Sequence, residues 1–142
     1  MRHILLATDG SSGAERAGDV AAEFVKATGG ELSILTVGGN LSRDEMEQLA
    51  RSERNIGDAL DALSEHILMT AEERSRRFGV SHIQRHVGWG DPAEVILETA
   101  ERIHADAIVV GRRGRGRLAG LLLGSVSQKV ATLAPCVVIV VP

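Results

Sequence analysis

Gly111, Gly114, Gly124 and Ser125 punctuate the stretch Gly111-Arg-Arg-Gly-Arg-Gly-Arg-Leu-Ala-Gly-Leu-Leu-Leu-Gly-Ser125, which follows the apolar run Ala107–Val110. Residues of these types at this spacing suit a phosphate cradle. Glycine has no Cβ, so backbone N–H groups can approach an anion and the chain can fold around it. Ser125 adds a hydroxyl donor, and a helix beginning there would point its free N–H groups at negative charge. Arg112, Arg113, Arg115 and Arg117 stud the same stretch. They either screen phosphate charge or form a solvated basic surface, and glycines after a strand also serve plain turns. The segment is not a Walker A loop, because Leu-Leu-Leu-Gly124-Ser125 lacks the lysine and the full spacing. A dinucleotide fingerprint belongs after the first strand rather than here.

A second polar turn, Thr8-Asp-Gly-Ser-Ser12, follows the first apolar run, Ile4–Ala7. The Asp9 carboxylate has two readings there, direct ligand contact or a cap on the following helix. It is also the only nearby group that could act as a general base. His3, His66, His82, His86 and His104 show no metal-ligand spacing, and no Ser/His/Asp or Cys/His set supports nucleophilic catalysis. Trp89 reads as a packing residue beside a turn.

The 142 residues fit one domain, with 44% hydrophobic residues and only Phe24, Phe78 and Trp89 as aromatics, so the core is aliphatic. A net charge of −3 and few stacking rings disfavour a nucleic-acid surface. A confined arginine patch on a mildly acidic chain suits a confined anion. Cys136 stands alone in the apolar run ending at Val141, which excludes an intramolecular disulfide. No apolar run approaches a membrane span, and a cytoplasmic protein is expected.

Short apolar runs alternate with helical patterns, as in a parallel sheet covered by helices. Strands are expected at Ile4–Ala7, Leu32–Val37, Ser81–Val87, Ala107–Val110 and Val137–Val141. The first helix buries Ala14, Ala17, Ala21, Phe24 and Val25 and stops at Gly29-Gly30. Residues 42–78 carry a helical pattern through Leu49, Ile56, Leu60, Leu63, Ile67 and Ala71, long enough to predict a break at Gly57 or in 51–55. Gly88-Trp-Gly-Asp-Pro92 reads as a turn into a helix bearing Val95, Ile96, Ala100 and Ile103, and Ser125–Leu133 as the last helix. The expected fold is an open, doubly wound five-stranded parallel sheet of order 3-2-1-4-5. Its strand order reverses between the first and fourth strands, so Asp9 and Gly111 would face one crevice.

On these residues the chain resembles the universal stress protein family, in its ATP-binding branch. The resemblance rests on Ile4-Leu-Leu-Ala-Thr-Asp-Gly-Ser11, on Gly88-Trp-Gly-Asp-Pro92, and on the G-x2-G-x9-G-[S/T] spacing at Gly111, Gly114, Gly124 and Ser125. It implies that the triphosphate of ATP lies against those glycines and Ser125, with Val126 and Ser127 adding contacts. It further implies that Ala7, Thr8 and Asp9 line the adenosine end, Asp9 near ribose or a phosphate-bound magnesium, and that Val37 meets adenine. Arg112 lies inside the motif, in reach of ribose or phosphate. The function implied is an ATP-binding stress-response or signalling module acting through conformation or assembly. A slow ATPase or phosphotransferase in the same pocket, or a protein-interaction module without ATP, are the alternatives. The apolar last strand at a sheet edge predicts a homodimer through that edge.

Overall fold

The apolar runs are strands in the computed structural model, which describes residues 2–38, 44, 47–48, 51, 56–112 and 123–142. In chain order the elements are β1 (His3–Ala7), α1 (Ser12–Thr28), β2 (Glu31–Gly38), α2 (Ile56–Arg77), β3 (Ile83–Trp89), α3 (Pro92–Arg102), β4 (Ala107–Gly111), α4 (Ser125–Leu133) and β5 (Val137–Val141). The sheet runs β3-β2-β1-β4-β5 with every neighbouring pair parallel, the order expected from the sequence. Successive side chains of a strand point to opposite faces, so a central strand covered on both sides is apolar along most of its length. Ile4, Leu6, Leu32, Ile34 and Val109 pack on one face with Ala17, Ala21 and Val25 of α1 and Leu68 of α2. Leu5, Leu35, Ile108 and Val110 pack on the other with Ile96 and Ala100 of α3 and Val130 of α4.

Helix α1 starts where Ser11 accepts the N–H of Ala14 on its side chain and ends where Gly29 turns left-handed at φ 67°. Its buried side is almost all alanine: Ala14, Ala17, Ala21 and Ala22, with Gly13 and Val25. Phe24 departs from the expected face and is 36% exposed. The small side chains bring α1 close to the sheet. A Cβ added at Gly111 would lie 3.3 Å from the backbone of Gly13, tighter than ordinary packing. Helix α2 is held to α1 by a two-pronged ion pair, Arg74 Nε and Nη2 to the Asp19 carboxylate at 2.6 and 2.9 Å.

Strands β1, β2 and β4 extend past their expected limits by one residue, at His3, at Glu31 and Gly38, and at Gly111, and β3 departs further. Strand β3 begins and ends two residues later than expected, so Gly88 and Trp89 extend the strand instead of turning. Pairing explains the shift: Val37 and Gly38 of β2 lie opposite Gly88 and Trp89, and the indole lies over Gly38 where a Cβ would strike its ring. The turn is carried by Gly90, at φ 124°, and Asp91, which caps α3 through the N–H of Glu94 with Pro92 in the first turn. Helix α2 begins at Ile56 with Gly57 as its second residue, so the described helix starts beside the stretch where a break was expected. Leu49 and residues 52–55 lie outside the described residues; Asp44, Glu47, Gln48 and Arg51 are helical.

The amino-terminal edge of β1 is anchored by Asp106, whose Oδ2 accepts the N–H groups of His3 at 2.8 Å and Arg2 at 2.9 Å. Those bonds, His3 first, hold the Asp106 carboxyl below its ordinary value. A depressed folded-state value means the stabilisation is present above the unfolded value of about 3.9 and is lost as pH falls through the folded one. Asp106→Ala should therefore lower the melting temperature at pH 7, and the gap to the parent should narrow below pH 4. A gap of constant size across that range would show that the charge contributes nothing.

Candidate functional site

Where the strand order reverses between β1 and β4, the carboxyl ends of the strands open into a cavity of about 400 Å³, a size suited to a small ligand. Ala7, Thr8, Asp9, Val37, Gly111, Gly124, Ser125, Val126 and Ser127 all line it. They come from chain segments far apart in sequence. Arg112 is not among the described lining residues, and its buried Nε has no hydrogen-bond partner among the described residues. Gly114, Arg113, Arg115 and Arg117 lie outside the described residues.

The first turn is built by its own side chains. Thr8 N–H donates to the Leu35 carbonyl at 2.9 Å, tying the turn to β2. Thr8 Oγ1 accepts the Gly10 N–H at 3.2 Å, and Asp9 Oδ1 accepts the Ser11 N–H at 2.9 Å. Gly10 takes φ 80°, which a residue with a Cβ rarely adopts. The cap on α1 is Ser11 and not Asp9, because the carboxylate lies two residues upstream and shapes the turn that presents the cap.

The glycine-rich segment leaves the sheet and returns to it at one point. Arg112 N–H donates to the Val141 carbonyl at 2.6 Å, and Gly124 N–H donates to the Arg112 carbonyl at 2.8 Å. Ser127 Oγ donates to the Gly111 carbonyl at 2.6 Å, locking the first turn of α4 onto the end of β4. Gly124 is the N-cap of α4 and offers no side-chain acceptor, so the N–H groups that open this helix have no capping side chain. A helix start of this kind beside a cavity attracts an anion through its N–H groups and its dipole.

Residues not picked out from the sequence complete the walls. Asp91, Pro92 and Ile96 enter from the β3–α3 turn, and Leu60, Leu63, Ser64 and Ile67 from α2. The spacing of Leu60, Leu63 and Ile67 was legible, but as a core stripe; a cavity wall and a core stripe have the same helical period. The Asp-Pro turn was the available signal for the other wall. Asp91 also faces Lys129 Nζ at 3.6 Å, which offsets an acidic group close to the site. Among the described residues, no group of three His, Cys, Asp or Glu is placed to hold a metal ion. Cys136 is half-buried, and burial first and Asp106 second raise its thiol, which suits packing better than nucleophilic chemistry.

The sequence model of the Universal stress protein family matches residues 1–142. A universal stress protein of Thermus aquaticus is 37% identical over 142 residues, covering 97% of this chain and 96% of its own length. Among solved structures, a universal stress protein in complex with cAMP superposes with a TM-score of 0.75 at 30% identity, covering 99% of this chain and 97% of that one. The universal stress protein of Archaeoglobus fulgidus in complex with dAMP superposes with a TM-score of 0.72, covering 100% of this chain and 98% of that one; at 24% identity this likeness speaks for the fold. The β3-β2-β1-β4-β5 sheet and the match over residues 1–142 lead to one conclusion: the chain belongs to the universal stress protein family.

Proposed function

We propose that residues 1–142 form one cytoplasmic nucleotide-binding domain that holds ATP in this cavity and signals through the bound state. The observation that carries the reading is the closure of the glycine-rich segment, in which Gly111, Arg112, Gly124 and Ser127 bond to one another beside an α4 start without a side-chain cap. Phosphates would take the N–H groups of Ser125, Val126 and Ser127, with Gly111, Gly114, Gly124 and Arg112 on the loop side. Adenine would lie against Val37 and Ala7, and ribose beside Thr8 and Asp9. The related protein solved with cAMP supports an adenine nucleotide as the ligand class.

Magnesium prefers six oxygen ligands in near-octahedral geometry and usually arrives with phosphate. Asp9 brings one carboxylate to the cavity, so it fits a magnesium ion carried in by the nucleotide rather than a pre-built metal site. Bound there, the ion would neutralise phosphate charge. Calorimetry with ATP, AMP and cyclic AMP tests the reading. One ATP per chain, without turnover well above background, is the expected result. No heat from any of the three would leave a protein-interaction module as the better account.

The last strand supports a second element of the proposal. β5 forms one edge of the sheet, with Val137 52% exposed and the neighbouring Leu133 also exposed. An apolar edge with unpaired backbone groups favours pairing with a second copy. Sedimentation at micromolar concentration should give a dimer, and Val137→Lys should shift it to monomer. A monomeric parent protein would remove the edge from the account.

A further inference from the structure

Three polar side chains outside the nucleotide site meet on the sheet face that carries α3. His3 Nε2 lies 2.8 Å from Ser33 Oγ, and His86 Nε2 lies 3.3 Å from the same oxygen. His3 Nδ1 lies 3.4 Å from a carboxylate oxygen of Glu31. Ser33 is fully buried on β2, between β1 with His3 and β3 with His86. Water has no access to the hydroxyl, so it must satisfy its hydrogen bonds with the two rings.

A serine hydroxyl carries one proton, and each nitrogen of a neutral imidazole either donates or accepts. Ser33 can therefore donate to only one ring, and the other ring must donate to Ser33. With His3 neutral, the arrangement that satisfies Glu31 places the His3 proton on Nδ1. Nε2 of His3 then accepts from Ser33, and His86 must present an Nε2 proton. With His3 protonated, both of its nitrogens donate, Ser33 turns its proton toward His86, and His86 must carry its own on Nδ1. We propose that Ser33 couples the two histidines, so that a proton gained by His3 switches the tautomer of His86 and the pair takes one proton while resisting a second.

The proton count balances. One proton enters from solvent, His3 ends with both nitrogens protonated, and His86 loses the proton on Nε2 as it gains one on Nδ1. A second proton would leave both rings donating to Oγ and the buried hydroxyl hydrogen without an acceptor.

Charged groups stand beside both rings. Glu31 stands beside His3, and the Asp106 carboxylate holds the His3 backbone N–H. Burial, then Arg102 of α3, then His3 push His86 below its ordinary value. A depressed folded-state value means the His86 contribution to stability is present above the unfolded value of about 6.5 and is lost as pH falls through the folded one. Acidification thus acts on β1, β2 and β3, whose opposite ends lead to Thr8, Val37 and Asp91 around the cavity.

The test is nitrogen-15 NMR of the histidine rings in the full chain between pH 8 and pH 5. His86 Nε2 should change from a protonated to an unprotonated shift at the midpoint where His3 gains its charge. In Ser33→Ala that linked change should vanish. His3→Gln, which removes the ring that takes the proton in this coupling, should also leave the His86 tautomer constant over that midpoint and serves if Ser33→Ala does not fold. A His86 tautomer that stays unchanged in the parent protein, or a linked change that survives either substitution, would overturn the coupling.

Discussion

Replacing Gly124 with aspartate should raise the stability of the protein while removing most of the ATP affinity proposed for it. Gly124 is the N-cap of α4 at φ −70° and ψ 165°, a conformation open to any residue. It lacks a side-chain cap, and an aspartate there accepts the N–H groups opening the helix and complements the helix dipole. The gain is a few tenths to about 1 kcal/mol. The same carboxylate occupies the donors assigned to phosphate and adds a negative charge beside a polyanion. ATP affinity should fall by at least about 30-fold, roughly 2 kcal/mol. Thermal melting and calorimetry on one preparation read both effects. Unchanged affinity in a folded, stabilised variant would place the phosphates elsewhere.

Ala17→Leu produces the largest loss of stability expected from a single added side chain in α1. Ala17 is fully buried in the cluster that includes Leu6 and Val109, and α1 lies close enough that a Cβ at Gly111 would crowd the Gly13 backbone. Protein interiors are packed as densely as organic crystals, so the added carbons must move the helix. A loss of about 1–3 kcal/mol follows, visible as a lower denaturation midpoint. Displacing α1 from the end of β4 should also weaken ATP binding. Phe24→Ala, on the same helix but more than a third exposed, should cost clearly less. Equal losses from the two variants would contradict the alanine-mediated contact.

The contrast between Ala17 and Phe24 shows what a sequence displays and what it conceals. Both fall on a helical period that predicts burial, and only packing against the sheet decides which is inside. β5 and α4 match their expected limits because Gly124 and Ala134-Pro135 punctuate the chain on either side of α4 and before β5. β3 does not, because Gly88 and Trp89 read as turn residues. Their strand conformation depends on pairing with β2 and on an indole that fits over Gly38, neither of which is local.

The site was legible where its chemistry is local. Thr8, Asp9, Gly111 and Gly124–Ser127 belong to two short polar or glycine-rich segments, and the strand order brings them to one cavity. The choice between Asp9 and Ser11 as cap needed the fold, because both lie in one short polar turn and only the backbone path selects the acceptor. The α2 wall needed it as well. Leu60, Leu63 and Ile67 have the spacing of a core stripe, and nothing in that period shows that they face a cavity. The His3–Ser33–His86 contact joins three strands whose residues are up to 83 positions apart, and no motif announces it.

The most direct test of the central claim is an amide NMR titration of the full chain with ATP. The largest shift changes should fall on Thr8, Val37, Gly111 and Gly124–Ser127, with small changes on β3 and the amino-terminal half of β1. Saturating changes confined to other surfaces, or none at millimolar ATP, would show that the cavity is not the nucleotide site.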